Sequence, residues 1–245
     1  MYPFDPIRAA WDALWATVHR SAPWTPATLR WTGDVSATWT DPNCVVGQAC
    51  GWPVAAILRD AIEVVGAFTL TVPEASGHRY RSVIVGRDRR TLPELADAGA
   101  VVVANSADSL SGWISFLAAV RDTGAARQWP GEVIWSGAHR ESLRHLQNGR
   151  ADVACVDALS MALIKRLYPE IVSGLHEIGH GPLVPSPPVI VPASTPIALV
   201  DSLRDAFTWA VSDSTMAGTC RELCIDGFVS LDHTEYATTR QLIDV

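Results

Sequence analysis

Long apolar runs are missing from this chain: no stretch of eighteen apolar residues occurs, so no segment reads as a membrane span and direct membrane insertion is not expected. The start, Met1-Tyr2-Pro3-Phe4-Asp5-Pro6, lacks the basic and apolar regions of a secretion signal. With no leader visible, the expected location is periplasmic if a leader has been removed and cytoplasmic otherwise. Positive charge is also short: 19 Lys and Arg against 26 Asp and Glu leave a net charge of −7, which argues against nucleic acid or an anionic membrane surface as partner. A local anion site is still allowed, because backbone amides can supply one without net positive charge.

Cysteine is scarce and odd in number. Cys44, Cys50, Cys155, Cys220 and Cys224 do not make a disulfide framework. Cys44 and Cys50 could bridge only in an oxidising compartment. Cys155 reads as strand filler, and Cys220 with Cys224 lack the second pair that a zinc site would need. No cofactor motif and no metal site are expected.

What the chain has is apolar surface. At 48% hydrophobic and 18% charged residues its 245 positions suit one large α/β domain or two lobes of roughly 100 residues each. Asp5, Pro6 and the stripe Ile7, Ala10, Trp11, Leu14, Trp15, Val18 predict a first helix ending near Arg20. Beyond the Pro-rich 22–26 connection, apolar runs alternate with helical segments, the pattern of βαβ units and a mainly parallel sheet. Strands are expected near 29–32, 44–48, 62–68 and 80–86. The alternation then restarts with a helix at 91–97, strands at 100–104, 132–135 and 153–156, and helices at 111–124, 138–148 and 158–167. A proline-rich extended segment over 181–188 suits a crossing between lobes, with a strand at 189–191 and a helix from about 196. The expected architecture is therefore two Rossmann-like α/β lobes, 1–78 with 189–245 and 79–188, joined by two crossing strands.

Function should concentrate at strand ends. Asn105-Ser106-Ala107-Asp108-Ser109-Leu110-Ser111-Gly112-Trp113 joins a strand to a helix N-terminus, where first-turn amides and the helix dipole favour an oxyanion and Ser109 and Ser111 add hydroxyls. Gly112 would let a ligand approach the backbone. His139, in Ser136-Gly137-Ala138-His139-Arg140, and Asp157, ending the strand at 153–156, reach the same sheet edge, where open α/β sheets bind ligands. The alternative reading of Ser109 and Asp157 is plain helix capping.

These residues resemble the periplasmic phosphate, phosphite and phosphonate-binding proteins of ABC importers, of the type 2 periplasmic binding protein fold. The resemblance rests on Gly47-Gln48-Ala49-Cys50-Gly51-Trp52-Pro53, on Tyr80-Arg81-Ser82-Val83-Ile84-Val85, on Asp108-Ser109-Leu110-Ser111-Gly112, and on 136–140 with 151–157. It implies a solute-binding protein, not an enzyme, that closes on a small anionic ligand in an inter-lobe cleft and works with an ABC permease. Ser109, Leu110, Ser111, Gly112 and His139 would hold the oxyanion, and Asp157 would face any cationic group. Tyr2, Gln48, Trp52 and Tyr80 would line the other wall. Trp52 stands where that family's pattern has tyrosine, which removes a hydroxyl donor and enlarges the apolar wall.

Two rivals remain. His176-Glu177-Ile178-Gly179-His180 satisfies H-E-x-x-H, the zinc-hydrolase signature, which needs both histidines on one helical face. Gly174, Gly179 and Gly181-Pro182 oppose such a helix, so a strand leading into the lobe crossing is expected. The other rival is a ligand-sensing module without a transporter, for which no helix-turn-helix is present.

Overall fold

The computed structural model describes residues 2–31, 35–125 and 128–242. Contacts divide the chain into two compact units: Met1–Thr71, Ala75–Arg79 and Pro185–Thr238 in the first, and Val72–Glu74, Tyr80–Val184 and Thr239–Val245 in the second.

In the first unit, the strand Ile62–Leu70 lies between Val189–Pro192 on one side and Ile225–Ser230 on the other. Its sequence, IEVVGAFTL, is rich in β-branched and aromatic side chains and buried on both faces, as a central strand requires. A Cβ at Gly66 would fall 2.3 Å from the Val229 carbonyl oxygen, so only glycine allows the neighbouring strand this close. The two-residue strand Gly47–Gln48 pairs with Val189–Pro192. The pairings Gly47–Gln48 with Val189–Pro192, and Ile62–Leu70 with each neighbour, are antiparallel, which corrects the expectation of a mainly parallel sheet for this unit. Helices Arg8–Ser21 and Ile197–Ser212 cover the sheet through Trp11, Phe68, Phe207 and Phe228, whose rings meet edge-on or stacked at 4.7–5.8 Å.

Two local expectations fail here for stated reasons. Residues 29–31 form no strand, and Thr32 lies outside the described residues. Trp31 instead packs on the first helix, its indole N–H donating to Asp12 at 3.2 Å and its ring under the Arg8 guanidinium. Asp5 does not cap that helix with its side chain; it pairs with Arg8 at 3.0 Å, after a single 3-10 turn at Asp5–Ile7. Near the end of the unit, helix His233–Ala237 ties down two distant segments. Glu235 accepts from His78 at 3.0 Å and pairs with Arg79 at 2.5 Å, while the Tyr236 hydroxyl donates to the Ser186 carbonyl at 2.8 Å.

In the second unit the sheet runs Arg79–Gly86, Val153–Val156, Val102–Ala104, Val133–Trp135, with His176–Pro185 pairing the first of these. Val102–Ala104 is parallel to both of its neighbours, and Arg79–Gly86 is antiparallel to Val153–Val156. Ile84, Val102, Phe116, Val120, Val153 and Cys155 form the centre of its core. Burial pushes the Cys155 thiol far up, so it stays a neutral apolar filler. The five cysteines are all free thiols, and Cys224 is half-buried at a left-handed helix cap rather than in a core.

Candidate functional site

The parallel strands Val102–Ala104, Val133–Trp135 and Val153–Val156 end at one edge of the second unit's sheet. Each end continues into a polar residue group: Asn105 onward, Ser136 onward and Asp157. The Ser136 amide donates to the Ala104 carbonyl and the Gly137 amide to the Asn105 carbonyl, both at 2.9 Å, so the first two loops leave the sheet side by side.

After Val102–Ala104 the chain enters a π-helical turn, Leu110–Ile114, before the α-helix Ser115–Asp122. The amides of Trp113 and Ile114 both donate to the Ser109 carbonyl, at 3.1 and 3.0 Å, so the first turn is wider than a regular α-helical one. Ser109 caps it, its hydroxyl accepting from the Gly112 amide at 3.0 Å. The capping reading therefore holds for Ser109. Gly112 also has a packing role: a Cβ there would lie 1.9 Å from the Asn105 side-chain oxygen. The space is filled by Asn105, whose Oδ1 is buried and accepts no hydrogen bond among the described residues. Asn105 is the first residue after the apolar strand Val102–Ala104, which is what brings its side chain into this turn.

Ser111 is buried, and its hydroxyl lies 3.5 Å from that of Ser109 and 2.9 Å from His139 Nε2. His139 opens the helix His139–Gln147 with its side chain only 11% exposed, and its Nε2 lies 3.5 Å from Asp157 Oδ2. The other oxygen of Asp157 accepts from the Ser160 amide at 2.9 Å, so this carboxylate caps the helix Ala158–Leu167 and faces the histidine at once. Burial lowers the His139 pKa, with Asp157 and the Cys155 backbone pulling it back up. The imidazole is thus neutral near pH 7, and it meets Ser111 and Asp157 through the same nitrogen. Nucleophile activation needs the hydroxyl on one ring nitrogen and the carboxylate on the other. The trio is a hydrogen-bonding junction, not a charge-relay array.

The remaining predicted residues fall as follows. Tyr80 is buried in the strand Arg79–Gly86, which is paired with Val153–Val156 and with His176–Pro185, and Leu110 is buried in the π turn. Tyr2, Gln48 and Trp52 belong to the first unit. Tyr2 is buried with a left-handed backbone, φ 58°, and its carbonyl accepts from the Phe4 amide. Gln48 donates its side-chain amide to the Pro187 carbonyl at 3.2 Å, and Trp52 is half-buried in the helix Gly51–Ala56. A cavity of about 250 Å³ does open in the first unit, but its walls include Trp11, Trp15, Trp31, Phe68 and Phe207, and of the predicted residues only Gln48 lines it. Its lining also carries Thr28, Arg30, Thr38, Asp41 and Asn43, and none of Ser109, Ser111, His139 and Asp157 belongs to it.

The H-E-x-x-H segment lies on the strand His176–Pro185, so the helix that zinc-hydrolase chemistry requires is not formed. No helix among the described residues is long and apolar enough to cross a membrane.

Residues 51–236 match the family model described as ABC transporter, phosphonate, periplasmic substrate-binding protein. Among solved structures, a binding-protein component of an ABC phosphonate transporter from Pseudomonas aeruginosa superposes with a TM-score of 0.81 at 16% identity, covering 97% of this chain and 81% of that one. PhnD1 from Prochlorococcus marinus, solved with methylphosphonate, gives 0.71 at 10% identity, covering 96% and 92%. A Xanthomonas citri protein solved with ATP gives 0.65 at 15% identity, covering 96% and 92%. At these identities the likeness is one of fold. No curated protein sequence matches.

Proposed function

The chain belongs to the family of phosphonate ABC-transporter periplasmic substrate-binding proteins, and we propose that it holds a small phosphonate-like oxyanion at the Ser109–Gly112 turn of its second unit. The observation that carries this reading is the meeting of Ser111, His139 and Asp157 at one sheet edge beside a helix entrance. Ser109, Leu110 and Ser111 offer hydroxyls and first-turn amides to the anion, and His139, neutral, offers an N–H without adding charge. Asp157 is then a carboxylate with no cation against it in the trio, so it favours a ligand group that brings a proton or a positive charge. Tyr2, Gln48, Trp52 and Tyr80 are proposed as the wall that contacts the organic part. The protein acts as a binder without chemistry of its own, in the periplasm, handing solute to an ABC permease.

Calorimetric titration with phosphate, methylphosphonate and 2-aminoethylphosphonate tests the proposal. One of the three should bind saturably at one site per chain. Failure of all three would remove the reading.

A further inference from the structure

The strand carrying His176-Glu177-Ile178-Gly179-His180 has polar side chains that oxyanion binding does not use. Ile178 packs on the second unit's core, its Cδ1 3.2 Å from where a Gly86 Cβ would stand. A Cβ on Gly179 would meet Ile84 Cδ1 at 3.8 Å, so two successive residues face the same side and the two-residue alternation breaks. Glu177 and His180, on either side of the break, are both exposed. Glu74 comes from the separate segment Val72–Glu74, held by the Arg81 amide donating to its carbonyl at 2.9 Å. One ligand atom from each of Glu74, Glu177 and His180 lies within 4.8 Å of the other two.

We propose that Glu74, Glu177 and His180 form a divalent transition-metal site, with Zn²⁺ the best-suited ion. Two carboxylate oxygens and an imidazole nitrogen are a borderline donor set that suits zinc, whereas Mg²⁺ and Ca²⁺ favour oxygen alone. Ligand bonds of about 2.0–2.2 Å place tetrahedral donors roughly 3.3 Å apart, so the three donor atoms, now within 4.8 Å of one another, would draw together on the ion. Three protein ligands leave one position to solvent. The arrangement is not that of a zinc hydrolase: Glu177 serves as a ligand rather than as a base, and His176 takes no part. Lys165 marks the site's electrostatics, because its ammonium already pairs with Glu177 and competes with any entering cation.

The site is independent of oxyanion binding, and its test uses the metal alone. Full-length protein stripped with chelator is titrated with ZnCl₂ by calorimetry. One equivalent should bind; His180→Ala and Glu74→Gln should each weaken it at least about tenfold. His176→Ala should bind like the parent, and Lys165→Ala should bind severalfold more tightly. Excess Mg²⁺ should not displace the zinc. These side chains are half-buried or exposed, so melting curves of the variants should overlay the parent's. The proposal is overturned by an absence of stoichiometric binding, by binding that requires His176, or by zinc held at thiols, which would survive every one of these substitutions.

Discussion

Replacing Ser111 with alanine separates a ligand-binding hydroxyl from a merely structural one. The hydroxyl is buried and 2.9 Å from His139 Nε2, so its loss costs the ligand-free protein one neutral hydrogen bond, about 0.5–1.5 kcal/mol. For a chain of this length that is a melting-point drop of about 2–4 °C per kcal/mol. If the same hydroxyl also donates to a bound oxyanion, affinity should fall by a further 1.5–3 kcal/mol, roughly tenfold to a hundredfold. Two measurements on parent and variant decide it: thermal melts without ligand, and calorimetry with whichever phosphonate binds the parent. A variant that melts lower yet binds equally tightly would show Ser111 to be a partner of His139 and nothing more, and the proposed oxyanion contact would fall.

Asp157→Asn should keep the helix cap, since asparagine caps as well as aspartate, while binding of 2-aminoethylphosphonate falls at least about tenfold relative to methylphosphonate; equal losses would remove the cation-facing role, as read by calorimetry with both ligands. Gly112→Ala drives a Cβ into the Asn105 side chain, an overpacking cost of about 1–3 kcal/mol set against about 1 kcal/mol of helix propensity, so a denaturant midpoint that is unchanged or modestly lower is expected, and a clear rise would contradict the contact. His139 has a lowered pKa in the fold, so the unfolded chain takes up its proton first as pH falls through about 6.5. Stability carried by the neutral ring is therefore full above that pH and lost below it; His139→Gln should flatten this part of the stability–pH curve, and parallel curves would refute it.

The second unit was the more legible in the sequence because its strands are short apolar runs that end in polar residues. Ser109, Ser111, His139 and Asp157 each follow such a run, so their gathering at one sheet edge could be read before any coordinates. What could not be read depended on contacts across the chain. The π turn arises from two amides sharing the Ser109 carbonyl, and no residue pattern distinguishes it from an ordinary first turn. The packing of Asn105 against Gly112 joins residues seven apart through a loop, and no residue pattern announces it. Residues 29–31 carry strand-like side chains, but Asp12 and Arg8 draw Trp31 onto the first helix instead. The antiparallel pairing in the first unit was hidden because both partners of Ile62–Leu70 come from beyond residue 188.

That last arrangement sets the order in which the protein can be made. The ribosome releases Ile62–Leu70 early, and residues 80–184 complete nearly all of the second unit before either of the strand's neighbours exists. A nine-residue, largely apolar strand therefore waits with both hydrogen-bonding edges bare until Val189–Pro192 and then Ile225–Ser230 are synthesised. Its exposure to wrong partners is greatest during translation, and chains interrupted between residues 193 and 224 keep one open edge for good.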